Sequence, residues 1–178
     1  MITLIAFRHA KSSWAMPGME DFDRPLAERG LRDAPQMAAW LVETGRGPDL
    51  IVSSPSQRTR ETLDLLMGPL KAENGGPKVR YEASLYLPGP ADIHYCLSHT
   101  EDDAKTVLLI SHNPGLHEAV LQFLAAEEEH AAGSLRSHYP TAACAIIEFP
   151  ASSWKDLSWG TGRLAAYMHP KMLAGEPA

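Results

Sequence analysis

No apolar run in the chain approaches the roughly twenty residues that a membrane-spanning helix needs. The first apolar run, Ile2 to Phe7, is too short for a secretory signal and has no basic segment before it. It leads directly into Arg8 and His9. We therefore expect a cytoplasmic protein with no membrane association.

Cysteine and positive charge are also scarce. The two cysteines, Cys96 and Cys144, form no CxxC pair and lie among apolar residues, which favours buried free thiols over a disulfide or a zinc site. The formal net charge of -6 argues against general affinity for the nucleic-acid backbone, because such binding requires a basic face. Nucleic acid is therefore not expected as a partner.

Histidine spacing gives no sign of a metal site. His94 and His99 are five residues apart, as are His112 and His117, and this spacing does not place two side chains on one face of a helix. We expect a protein without a metal ion or another cofactor.

The overall composition is that of an ordinary soluble protein. Of 178 residues, 44% are hydrophobic and 21% are charged, values near the average for globular chains. No repeat and no long linker divides the sequence. We expect one domain over residues 1–178, and a monomer is the default oligomeric state.

Short apolar runs indicate an α/β fold. Ile2 to Phe7, Leu50 to Ser53, Thr106 to Ile110 and Cys144 to Phe149 predict buried strands, and 79–83 and 163–168 are weaker candidates. Helical stretches lie between the strong strands. This alternation predicts a three-layer α/β/α sandwich with a mainly parallel sheet.

Two helices carry start signals directly after predicted strands. Ser54 and Pro55, followed by Gln57, fit a capping residue, a first-turn proline and a capping box. Asn113-Pro114 predicts a second capped helix after the third strong strand. An earlier helical stretch, 26–44, contains Pro35, which must open or kink a helix.

Basic and imidazole side chains occur at three predicted strand ends. Arg8 and His9 end the first strand, Arg58 lies in the first turn after the second, and His112 follows the third. The carboxyl edge of such a sheet is where ligands bind, and helix N-termini there favour anions. Guanidinium forks and imidazoles suit a tetrahedral dianion, so the predicted chemistry is phosphoryl transfer.

The motifs that surround these residues resemble those of the histidine phosphatase superfamily, also called phosphoglycerate mutase-like. Matching segments occur in the expected order: LIAFRHAKS over 4–12, DRPLAERG over 23–30, SSPSQRTRET over 53–62, SHNPG over 111–115 and YPTA over 139–142. Ala27 stands where the family usually has threonine. The short length and the RHAKSSW opening are most similar to SixA-type phosphohistidine phosphatases.

The resemblance implies roles for individual residues and one antiparallel strand in the sheet. It implies that His9 is the nucleophile and that Arg8, Arg58 and His112 form the phosphate pocket. A phosphohistidine intermediate would then be hydrolysed by water. Lys11 and Ser12 directly follow the nucleophile and are candidates for substrate binding at the mouth of the pocket.

The general acid is the weakest part of the match. Many family members carry an acid glutamate after the third strand, and Glu82 lies near that place without the glycine and tryptophan that normally follow it. Asp21 and Asp23 are competing candidates. Without an acid, substrates with good leaving groups, such as phosphohistidine or aryl phosphates, would be favoured.

Three functions remain open at this point. The first is a phosphatase acting on a phosphorylated partner, either phosphohistidine in a protein or a small phosphoester. The second is a phosphoglycerate-type mutase, which usually has longer insertions and the acid glutamate. The third is a catalytically silent phosphate- or partner-binding module, which normally lacks one of the four pocket residues found here.

Overall fold

A computed structural model of the chain describes residues 1–14, 17–70 and 76–176. Within these ranges six strands form one sheet: β1 (Ile2–Arg8), β2 (Leu50–Ser53), β3 (Lys78–Tyr81), β4 (Thr106–Ser111), β5 (Cys144–Phe149) and β6 (Arg163–Met168). Their order across the sheet is β3-β2-β4-β1-β5-β6. All four strongly predicted strands are present, and both weaker candidates are strands as well.

The sheet is mainly parallel. Strand β1 pairs in parallel with β4, β4 with β2 and β2 with β3. Strand β5 runs antiparallel to both of its neighbours, β1 and β6. The expectation of a mainly parallel sheet with one antiparallel strand is confirmed.

Helices cover both faces of this sheet. In the described residues they are α1 (Glu28–Glu43), α2 (Gln57–Leu70), α3 (Pro90–Ser98), α4 (Gly115–Phe123), α5 (Ala126–Ala131), α6 (Ser134–Ser137) and α7 (Pro170–Leu173). The described ranges hold no helix with the length and apolar character needed to cross a bilayer. Pro35 lies inside α1, so it does not open that helix.

Alternating side chains of β1 divide the core into two parts. Ile5 belongs to one buried cluster with Met37 of α1 and Leu66 of α2. Leu4, on the opposite face, belongs to a second cluster with Leu116 of α4. This alternation follows from the two-residue period of a strand and confirms the three-layer α/β/α architecture.

The start of α2 differs from the predicted capping box. Helix α2 begins at Gln57, and the Ser54 hydroxyl accepts a hydrogen bond from the backbone N–H of Ser56 at 3.4 Å. The Gln57 side chain donates to Glu61 instead of reaching back to Ser54. The reciprocal pair of the capping box therefore does not form.

The prediction that Asn113 caps α4 is wrong. Helix α4 begins at Gly115 without a side-chain cap. The Asn113 amide nitrogen instead donates to the backbone carbonyl of Tyr139 at 2.9 Å. The loop before β5 competes for this side chain, and sequence spacing alone does not reveal that partner.

The connections of β1 and β4 place a crevice at the carboxyl edge of the sheet. From β1 the chain leads to β2 on one side, whereas from β4 it leads to β5 on the other. Arg8 lies opposite Ser111 in the β1–β4 register, and the His9 N–H donates to the Ser111 carbonyl at 3.1 Å. Ligands bind at such a switch point in open α/β sheets.

Candidate active site

A cavity of about 240 Å³ opens at this edge of the sheet. Its walls contain Arg8, His9, Lys11, Ser12, Arg58 and His112. The structure therefore brings together six of the seven predicted site residues, and Glu82 is the exception.

The His9 ring is oriented by the backbone. Its Nδ1 atom lies 2.7 Å from the carbonyl oxygen of Ala10. Because a carbonyl can only accept, Nδ1 carries the hydrogen and Nε2 keeps a free lone pair. Burial, and next the neighbouring His112, hold the pKa of His9 well below its usual value, so the ring is neutral at pH 7.

His112 lies beside His9, with 5.0 Å between the ring centroids. Burial, followed by the positive charge of Arg58, lowers the pKa of His112 to about 3, although Asp21 partly opposes this shift. The cavity thus contains two neutral imidazoles beside permanently charged guanidinium groups.

These depressed pKa values predict a loss of stability in mild acid. Unfolded histidines bind protons below pH 6.5, whereas buried His112 remains neutral until about pH 3, so the stability present above pH 6.5 is lost as the pH falls toward 3. Between pH 7.0 and 5.5 His112 should contribute a loss of about 1 kcal/mol in the free energy of unfolding. Urea unfolding at the two pH values measures this loss.

The control for this measurement is His112→Gln, which should lose less unfolding free energy over the same interval. Equal pH dependence of wild type and His112→Gln would contradict the assignment of a buried neutral ring.

Backbone and carboxylate acceptors hold the two predicted pocket arginines. Arg8 donates from Nη1 to the carbonyl oxygen of Tyr139 at 2.8 Å. Arg58 donates from Nη2 to Oδ2 of Asp21 at 3.0 Å, and its side chain is only 4% exposed. Both guanidinium groups are therefore fixed at the cavity wall before any ligand arrives.

Asp21 is the acidic residue of the cavity wall. Its carboxylate accepts from Arg58, from Arg24 at 2.9 Å and from the Tyr86 hydroxyl at 2.7 Å. Burial by itself would raise the pKa of Asp21, but the hydrogen bonds from Tyr86, Arg24 and Arg58 together hold it far below its usual value. The Asp21 carboxyl is therefore ionised at pH 7.

Arg24 is a cavity residue that sequence reasoning did not single out. It donates from Nη2 to the Ser12 hydroxyl at 2.6 Å, and its guanidinium lies 3.3 Å from the ring centroid of Trp14. Arg24 belongs to the matched motif over residues 23–30. The motif, however, does not indicate that the Arg24 side chain lies in the cavity wall.

Glu82 does not reach the cavity wall. It directly follows β3, and its carboxylate forms an ion pair with Nε of Arg80 at 3.0 Å. Asp23 is exposed and also lies outside the wall. Among the three acidic candidates, the structure places Asp21 in the cavity.

Leu87 is a second cavity residue that sequence reasoning did not single out, and no motif in the sequence includes it. It lies on the wall with 55% of its surface exposed and adopts φ 50°, a left-handed conformation that is unfavourable for leucine. The next residue, Pro88, packs so closely on Gly115 that a Cβ at Gly115 would lie 1.9 Å from the Pro88 carbonyl oxygen. This tight contact holds the Leu87 loop beside the cavity.

The comparison with protein families agrees with this geometry. Residues 4–80 match the model of the histidine phosphatase superfamily, branch 1. This range covers most of β1 with Arg8, His9 directly after that strand, and the start of α2 with Arg58. His112 lies beyond it and joins the site through the β1–β4 pairing.

Proteins with similar sequences and folds cover nearly the whole chain. The uncharacterised protein Rv1276c of Mycobacterium tuberculosis is 29% identical over 167 residues, which are 92% of this chain and 99% of that protein. A protein from Nakamurella multipartitia, proposed to be the phosphohistidine phosphatase SixA, superimposes with a TM-score of 0.80 at 28% identity and covers 95% of this chain and 96% of its own.

A protein from Agrobacterium tumefaciens, likewise proposed to be SixA, has a TM-score of 0.77 at 27% identity and covers 95% of this chain and 98% of its own. The predicted resemblance to the histidine phosphatase superfamily is thus confirmed: the family model matches residues 4–80, and nearly the whole chain has the fold of two proteins proposed to be SixA phosphatases.

Proposed function

We propose that the chain hydrolyses a phosphorylated substrate without a metal ion, through a phosphohistidine on His9. The observation that carries this proposal is the neutral His9 ring, whose hydrogen on Nδ1 is held by the Ala10 carbonyl. Nε2 attacks phosphorus with its lone pair as the bond to the leaving group breaks. Water then attacks the same phosphorus, the P–N bond breaks, and inorganic phosphate and neutral His9 are released.

The charge of the cavity supports a dianionic phosphoryl group. Among the described wall residues, Arg8, Lys11, Arg24 and Arg58 are cationic, and Asp21 is the anionic one. Charge-assisted hydrogen bonds from guanidinium groups match the oxygens of phosphate. The same donors would stabilise the charge of the loose transition state for phosphoryl transfer.

The acidic residues favour substrates with good leaving groups. Glu82 pairs with Arg80 outside the cavity, and Asp21 is held ionised by its three donors. A carboxyl group ready to protonate an alkoxide is therefore not found among the described wall residues. A phosphohistidine needs less help, since the leaving imidazole can take a proton from water on its second nitrogen.

The walls of the cavity fit a phosphoryl group attached to a ring on a larger molecule. Trp14 is 74% exposed and Leu87 is 55% exposed, and both lie on the wall beside the phosphate-binding residues. Both similar SixA proteins are themselves proposed to be phosphohistidine phosphatases. We therefore propose phosphohistidine in a protein as the preferred substrate and a small phosphoester as the second choice.

A panel of three substrates tests this choice. For phosphohistidine peptide and p-nitrophenyl phosphate we expect kcat/KM values at least about a hundredfold above that for a sugar phosphate, since only the alkoxide needs a general acid. Single-turnover measurements keep product release from masking the chemical step.

Glu82→Gln tests the alternative from the sequence. If Glu82 were the acid, the variant would slow the sugar phosphate by about a hundred- to ten-thousandfold and barely change the aryl phosphate. We expect the two rates to change together. Selective loss on the sugar phosphate, or equal wild-type rates on all three substrates, would contradict the proposed preference.

A further inference from the structure

A buried serine contacts the second histidine of the site. Ser54 follows β2 and His112 follows β4, the neighbouring strand, and the two residues are 0% and 1% exposed. The Ser54 N–H donates to the Ile110 carbonyl at 3.0 Å, which continues the ladder between these strands. Ser54 Oγ then lies 2.9 Å from Nε2 of His112. The sheet itself fixes this pair.

The hydrogen bonds of the Ser54 hydroxyl determine its direction. Its oxygen accepts from the Ser56 N–H, so its own hydrogen needs a separate acceptor. Among the described residues that acceptor is Nε2 of His112. If Nε2 carried the ring hydrogen, the buried Ser54 hydroxyl would lose its acceptor, and a buried donor without an acceptor is unfavourable.

The second ring nitrogen of His112, Nδ1, completes the assignment of the tautomer. Nδ1 of His112 is buried and has no hydrogen-bond partner among the described residues. A neutral imidazole has one N–H, so a hydrogen bond from Ser54 to Nε2 leaves that hydrogen on Nδ1. Nδ1 is then the ring atom that remains for a ligand in the cavity that His112 borders.

We propose that Ser54 is a positioning residue that holds His112 in the Nδ1–H tautomer, so that its single N–H is available to a phosphoryl oxygen. In the opposite tautomer, Nδ1 would carry a lone pair instead of a hydrogen. This lone pair would repel the anionic phosphoryl oxygen. The proposal rests on the phosphatase function proposed above, because it assigns His112 a role toward the phosphoryl group.

The tautomer is measured directly by long-range ¹H–¹⁵N correlation spectra of protein with labelled histidine, at pH 7.5 and without substrate. The His112 signals are identified by their loss in His112→Gln. Wild type should show the Nδ1–H pattern. Ser54→Ala should shift the ring toward the Nε2–H form, and Ser54→Thr, which keeps a hydroxyl, should restore the wild-type pattern.

Vanadate binding provides a second measurement. If the Nδ1–H form falls to about a fifth of the population in Ser54→Ala, vanadate affinity should fall about fivefold. Ser53→Ala is the matched control. It removes the neighbouring buried hydroxyl, which donates to the Ser54 carbonyl, and should preserve the His112 tautomer.

An Nε2–H pattern in wild type would overturn the proposal, and this result does not depend on any variant folding. A Ser54→Ala protein with unchanged tautomer and unchanged vanadate affinity would also overturn it. If the proposed phosphatase function were wrong, the result would be different. Wild type would still show the Nδ1–H pattern but would hydrolyse none of the three substrates in the panel.

Discussion

Replacing His9 by alanine is expected to abolish turnover, with a rate at least about a thousandfold below wild type, while the fold stays intact. The substitution removes the Nε2 atom that we propose attacks phosphorus, from a residue that directly follows β1 and borders the cavity. The sheet keeps its register, because the His9 backbone N–H still donates to the Ser111 carbonyl. A rate assay and unfolding by circular dichroism measure the two effects separately.

The proposed phosphohistidine on His9 can also be trapped and detected. Rapid quenching of wild type with ³²P-labelled aryl phosphate should give an acid-labile, alkali-stable label, as expected for phosphohistidine, and His9→Ala should give none. Enzyme dialysed against EDTA should label equally well. His99→Ala, at an exposed histidine outside the cavity, is the matched control.

Retention of more than a few per cent of the wild-type rate in a folded His9→Ala protein would remove His9 as the nucleophile. Label that persists in this variant would point to another nucleophile. Loss of activity on EDTA dialysis, restored by zinc or magnesium, would overturn the metal-independent mechanism.

The second large effect is expected for Arg58→Ala, with turnover slower by about a hundredfold or more. The substitution removes a guanidinium that is nearly buried at the cavity wall, and it leaves the Asp21 carboxylate without that partner. Both changes disfavour a phosphoryl dianion. Vanadate affinity should fall together with the rate, and titration with vanadate measures it.

Two further variants separate charge from geometry at this position. Arg58→Lys keeps the charge but loses the planar fork, so its rate should lie between those of wild type and Arg58→Ala. Arg60→Ala is the matched control, since Arg60 is an exposed residue of the same helix and donates to the Pro55 carbonyl. Equal rates for Arg58→Ala and Arg60→Ala would exclude a role for Arg58 in binding the phosphoryl group.

The strands and their common edge could be predicted from the sequence because buried parallel strands are continuous apolar runs. The strand over Thr106 to Ile110 was predicted without tertiary information. The placing of Arg8, His9 and His112 at the ends of strands was predicted in the same way. Chain connectivity then places these ends at one edge. The four main cavity residues are therefore local features of the sequence.

The partners of side chains could not be predicted in the same way. Asn113 has the sequence context of a helix cap, yet its amide donates to the carbonyl of Tyr139. Glu82 lies near the sequence position of the family acid, but it pairs with Arg80 outside the cavity. In both cases a competing partner decided where the side chain lies.

The sequence by itself determined the class of fold, the strand ends and the cationic residues that a phosphoryl group requires, because these depend on local pattern and chain order. Only the tertiary structure decided that Asp21 faces Arg58, that Leu87 borders the cavity and that Ser54 meets His112. These contacts join residues from different elements. Their geometry depends on how the sheet twists and how the loops pack, which no local pattern records.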